Sequence, residues 1–151
     1  MRICIPNRRS ASADLRSSER VVHCWLAVST AESKPQELQR RLVAFSSDIL
    51  ELTRKLPKTP QGSHISKQLL RCGTAVAANY AEARGAESRP DFVHKLRIVL
   101  KELNETSVWL QLILKTCLLP RDKLVAIVAE NEHLCRIIAA SIKTAGGFDR
   151  S

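Results

Sequence analysis

Between residues 33 and 146 apolar side chains return every three or four positions in four separate runs, each bounded by residues that start or stop a helix. The first opens at Ser33-Lys34-Pro35-Gln36, a capping-box spacing with proline in the first turn, and sets Leu38, Leu42, Phe45, Ile49 and Leu52 on one face. It ends before Leu56-Pro57, because the residue ahead of a proline is pushed out of helical geometry. Thr59-Pro60 restarts the chain, and Ile65, Leu69, Cys72, Val76, Tyr80 and Ala83 continue to a stop at Gly85. This second helix is rich in small side chains from Thr74 to Ala81, which permits neighbours to approach closely on two sides. Ser88-Arg89-Pro90-Asp91 caps a third run of Phe92, Leu96, Val99, Leu103, Thr106, Leu110, Ile113 and Cys117, which Leu119-Pro120 breaks. Asp122 suits the positive end of a fourth helix, whose stripe is Leu124, Ile127, Asn131, Leu134, Ile138 and Ile142, running toward Gly146-Gly147.

Three short connections make consecutive helices antiparallel neighbours, so the pattern predicts an all-α fold, an antiparallel up-down-up-down four-helix bundle spanning residues 33–146. No internal repeat supports a solenoid of helix pairs. Residues 147–151 read as a C-terminal tail. Residues 1–32 read as an N-terminal extension of open character: a basic tail, an added helix, or sequence upstream of the true start codon. Its apolar run, Val21 to Val28, is too short to cross a bilayer and sits too deep for an ordinary signal peptide. Composition agrees with the pattern, since 44% of residues are hydrophobic but only 4% aromatic, and only five are glycine.

Five cysteines, an odd number without C-x-x-C spacing, point to free thiols in a reducing cytoplasm rather than to a zinc site or a disulfide framework. No phosphate-cradling glycine loop and no nucleophile elbow occurs, which speaks against the common nucleotide-dependent and hydrolytic chemistries. Glu130 and His133 have the spacing of a bundle di-metal ligand pair, but no second copy exists to complete such a site. His64 and His94 lie at polar positions with nothing in the pattern to orient them. The expectation is a protein that is not an enzyme, with no catalytic residues, no metal and no cofactor.

The formal charge of +9 suits a polyanionic partner. Between Pro60 and Lys101 seven basic residues stand against three acidic ones. Lys67 and Arg71 are one helical step apart, as are Arg97 and Lys101, so each pair shares a face and can reach successive phosphates. No aromatic interleaves them, so the contacts expected are to backbone phosphates and not to bases. A merely solvated basic face is the competing reading. Asn79, Glu82, Glu102, Glu105 and Asn131 place polar groups on crowded faces, where they should hydrogen-bond across the bundle or between subunits.

Three spaced motifs carry a resemblance: Arg71-Cys72-Gly73-Thr74-Ala75-Val76-Ala77-Ala78-Asn79-Tyr80-Ala81-Glu82-Ala83, Asp91-Phe92-Val93-His94-Lys95-Leu96-Arg97-Ile98, and Lys101-Glu102-Leu103-Asn104-Glu105-Thr106. In order and spacing they resemble the bacterial four helix bundle protein family, which includes the intervening-sequence proteins encoded within 23S ribosomal RNA genes. The resemblance runs from about Gln36 to Ala145. It implies an up-down bundle that assembles into a homo-oligomer, commonly a pentamer, and a relationship to the accessory variability determinant proteins of diversity-generating retroelements, which partner a reverse transcriptase and bind nucleic acid. Carried onto this chain, it implies oligomer contacts at Asn79, Tyr80 and Glu82 and a nucleic-acid face that adds Arg84 to Arg71, Arg97 and Lys101. The family often has Asn-Ile-Ala-Glu-Gly where this chain has Asn79-Tyr80-Ala81-Glu82-Ala83, and Tyr80 is bulkier than the usual aliphatic. The leading expectation is a cytoplasmic nucleic-acid-binding oligomer with no membrane role; the alternative is an adaptor for a nucleic-acid enzyme such as a reverse transcriptase.

Overall fold

A computed structural model of the chain describes residues 33–147; the N-terminal extension and residues 148–151 lie outside the described residues. Four helices follow in order: α1 (Lys34–Lys55), α2 (Pro60–Arg84), α3 (Arg89–Lys115) and α4 (Val125–Gly146), with one 3-10 turn at Arg121–Lys123 between the last two. No strand occurs among the described residues. The helices are 22 to 27 residues long, roughly 33–40 Å, so each one runs the length of the bundle. α1 packs on α2, α2 on α3, α3 on α4 and α4 back on α1, which is the square arrangement of an up-down-up-down bundle.

The caps read from the sequence do their work. The Thr59 hydroxyl accepts from the Gly62 amide at 3.1 Å and the Ser88 hydroxyl from the Asp91 amide at 3.3 Å, each satisfying a first-turn donor that has no partner inside its helix. Arg54 and Lys55 end α1, Arg84 ends α2 and Lys115 ends α3, where positive charge complements the helix dipole. Gly62 is required for another reason: a Cβ there would overlap the Pro57 carbonyl, so the α1–α2 turn can close only over a bare backbone.

The predicted stripes meet along one axis. Leu42, Phe45 and Ile49 from α1, Leu69 and Val76 from α2, Leu96, Leu103, Leu110 and Ile113 from α3, and Leu134 and Ile138 from α4 are all buried. Each such side chain contributes about 1.5–3 kcal/mol relative to exposure. α2 is enclosed on two sides, as its small residues allow. Gly73 lies against Ile49, where an added Cβ would come within 2.7 Å of Cγ2, and its carbonyl accepts from the Ser46 hydroxyl at 2.9 Å. On the other side Cys72 is buried with its sulfur 3.2 Å from the Thr106 hydroxyl, which donates to the Glu102 carbonyl at 2.8 Å. Burial pushes the Cys72 thiol up, so it stays protonated and acts as a small hydrophobe.

Two boundaries differ from the sequence reading. Cys117, expected to extend the α3 stripe, lies beyond the helix with φ of 51° and is exposed. It occupies the left-handed position of a Schellman turn, in which the Leu118 amide bonds the Ile113 carbonyl at 3.2 Å and the Cys117 amide the Leu114 carbonyl at 3.4 Å. The turn swings Leu118 and Leu119 back onto the core. Asp122, expected at the start of α4, lies in the 3-10 turn, and α4 begins after Leu124 with no side-chain cap. Asn131 is buried, as expected of a cross-bundle polar group, and its amide donates to the Leu103 carbonyl of α3 at 3.2 Å.

Candidate nucleic-acid interface

The five candidate phosphate contacts divide by their carboxylate neighbours. Lys67, Arg84, Arg97 and Lys101 are exposed and enter no ion pair among the described residues. Arg71 is different. Its Nη2 is bound to Glu105 across the α2–α3 seam, its Nη1 lies 3.9 Å from Glu102, and its Nε reaches Gln68 at 3.5 Å. The Arg71 guanidinium holds the Glu105 carboxyl below the usual carboxylate range, against a smaller upward push from burial. Half of the proposed Lys67–Arg71 step is thus already neutralised within the chain.

The two basic pairs also point to different sides of the bundle. Glu102 and Glu105 turn toward α2, whereas Asn104 lies 3.8 Å from the Cys135 sulfur of α4. Arg97 and Lys101 fall in the Asn104 row by helical spacing, so they lean away from the seam that holds Arg71. Arg84 ends α2, roughly 25 Å along the helix from Lys67. These basic residues are therefore spread over α2 and α3 in place of forming a single stripe.

The residues implied as oligomer contacts are mostly occupied within the subunit. Tyr80 is 5% exposed and belongs to the core, as its place in the α2 stripe predicts, and burial pushes its phenol upward and keeps it neutral, so little of the side chain is left to meet a second copy. Asn79 donates its amide to the Ala75 carbonyl one turn back, at 2.9 Å. Glu82 is exposed, with Lys95 Nζ at 3.4 Å. A surface the sequence reading did not single out lies beside them. Val43 and Leu50 stand exposed on one row of α1, with Leu70 exposed on the facing side of α2, and the α1 row between Val43 and Leu50 carries no charge.

Two side-chain constellations arise only from packing. Glu130 and His133, the pair with metal-ligand spacing, both meet Arg41 of α1: Nη2 is 2.8 Å from Glu130 Oε1 and 3.2 Å from His133 Nδ1. At the end of the bundle that carries the α1–α2 and α3–α4 connections, His64 and Trp109 form an edge-to-face pair with ring centroids 5.7 Å apart. They line a mostly apolar cleft of about 430 Å³ with Pro60, Ile65, Leu112 and Thr116.

Residues 35–140 match the family model of the 23S rRNA-intervening sequence protein. The chain belongs to this family. A solved relative agrees in fold and in sequence: a protein of unknown function from the S23 ribosomal protein family of Bacteroides thetaiotaomicron is 35% identical, with a TM-score of 0.66, over 70% of this chain and 98% of that one. No match was found among curated proteins. For this intervening-sequence family member, no described helix is long and apolar enough to cross a membrane, and no described cluster of His, Cys, Asp and Glu could hold a metal ion.

Proposed function

We propose that the protein is a non-enzymatic, homo-oligomeric helical bundle of the cytoplasm that binds RNA or DNA through phosphate contacts. The observation that carries this reading is the set of exposed cations that enter no ion pair among the described residues, Lys67, Arg84, Arg97 and Lys101, on a chain of formal charge +9. Cations spread over both α2 and α3 suit a sequence-independent polyanion better than one acidic peptide. The uncharged row of Val43 and Leu50 beside Leu70 supports the self-association half, since such a row is covered at low cost by a second copy.

The test is a binding titration with RNA and with duplex DNA at several salt concentrations. The logarithm of affinity should fall steeply and linearly with the logarithm of salt, and Arg97→Ala or Lys101→Ala should each flatten that slope by about 1. Arg71→Ala should flatten it less, because Glu105 already holds that charge. Binding that is absent at low salt, or indifferent to salt, would remove the reading. Light scattering checks the oligomer, which Leu50→Glu should dissociate.

A further inference from the structure

The cleft at His64 and Trp109 combines three features that a phosphate-only surface does not need. Its walls are apolar and aromatic, and its volume of about 430 Å³ is in the range of small-ligand sites. Hydrogen-bonding groups ring it: the exposed Gln61 amide, the His64 imidazole and the Thr116 hydroxyl, which donates to the Leu112 carbonyl at 2.6 Å and keeps its lone pairs as acceptors. Lys58, Lys67 and Lys115 each lie within three residues of a lining position, all exposed and none in an ion pair among the described residues. We propose that this cleft is a pocket for an unpaired nucleobase, so that the preferred polyanion is a single strand.

The inference rests on the nucleic-acid reading and adds what that strand must expose. In an edge-to-face pair one ring presents its rim to the other, which leaves a ring face unstacked, and bases stack on such faces. Trp109 is well placed to serve. Its indole N–H lies 3.4 Å from Glu105 Oε1, and Glu105 is in turn fixed by Arg71, so the ring is oriented before anything binds. Arg71 is then a positioning residue, one step behind the ring. The bases of a duplex are stacked on each other and cannot enter the cleft without leaving the helix, whereas the exposed lysines that neighbour its lining residues along α2 and α3 can follow a single-stranded backbone. An acidic peptide would satisfy the lysines and leave the indole without a flat partner.

Trp25→Phe makes Trp109 the sole tryptophan of the chain. That protein is titrated at low salt with an oligouridylate of roughly ten nucleotides, a duplex of equal length and a glutamate-rich peptide. Emission should be quenched by the single strand and left unchanged by the duplex. In the otherwise native chain Trp109→Ala should weaken single-strand binding about tenfold with duplex binding unaltered, and Trp109→Phe should retain most of it. Circular dichroism verifies the fold; if the alanine variant does not fold, the quenching titration and the exposed-site variant Gln61→Ala decide. Binding of the oligonucleotide with unchanged Trp109 emission would overturn the pocket while leaving the nucleic-acid reading intact. No binding to either nucleic acid would remove both. Quenching by the peptide alone would assign the cleft to an acidic protein partner and overturn the proposal.

Discussion

The seams around α2 and the seam between α1 and α4 are closed by different means. α2 approaches its neighbours over side chains that take almost no room: Gly73 against Ile49 with the Ser46 hydroxyl on its carbonyl, and Cys72 against Thr106. α1 and α4 are joined by no loop and meet over long side chains. Two grooves of about 410 and 380 Å³ open along them, and Arg41 bridges to Glu130 and His133 between the helices. Close approach needs small residues at matched heights on two helices, so a single substitution can ruin it. A charged bridge spans a wider gap and is partly screened by water, so it tolerates change.

Gly73→Val breaks the first kind of seam and should have the largest effect, a loss of about 3 kcal/mol at the upper end of what overpacking costs. The added atoms would enter space held by Ile49, whose own packing leaves it no room to yield. Urea midpoints measure the loss. The contrast sharpens in a double-mutant cycle: Ile49→Ala should cost about 2–5 kcal/mol alone, but should recover part of the valine's penalty when combined with it. Strict additivity of the two would mean that Gly73 is not chosen for this contact.

Arg41→Met tests the second kind. Both partners keep about a quarter to a third of their side chains exposed, 26% for Arg41 and 32% for Glu130, so solvent screens the pair and the expected loss is only about 0.5–1 kcal/mol. The difference between variant and parent should shrink further in strong salt. A loss as large as that of Gly73→Val would show that the α1–α4 seam depends on this bridge, and the contrast between the two kinds of seam would fail.

The same distinction explains what the sequence could disclose. Helix starts at Pro60 and Arg89 were legible because Thr59 and Ser88 act on amides three residues away, and the four stripes because burial follows helical spacing within one element. Cys117 misled because it keeps the spacing of the α3 stripe while adopting a left-handed turn conformation usually given to glycine. Tyr80 was legible as a core residue from its place in the α2 stripe, whereas the motif shared with relatives says nothing of which way a bulkier side chain is taken. Arg71 looked like a phosphate ligand because its helical neighbour is Lys67, while its real partner, Glu105, is 34 residues away. His64 and Trp109 share that antiparallel register. Both pairings become visible only once α2 and α3 are laid side by side, so the aromatic cleft was hidden by the same gap in sequence as the ion pair.

Arg71→Gln gives the smallest effect and the most direct view of that pairing. With the guanidinium gone, the Glu105 carboxyl should titrate closer to the ordinary carboxylate range, which carbon NMR of the side chain would follow. The sign of the stability change follows from linkage. A folded-state value held low means the unfolded chain binds the proton more readily, so the contribution is fully present above the unfolded carboxylate value and disappears as pH falls through the folded one. Arg71 itself stays charged across that window, its own value raised by the Glu105 hydrogen bond. The variant should therefore show a shallower loss of stability on acidification than the parent and nearly equal stability well below the carboxylate range. An unchanged Glu105 titration would mean that Arg71 is not bound to Glu105 in solution, which would free Arg71 for phosphate and leave the carboxylate beside Trp109 without the guanidinium that fixes it.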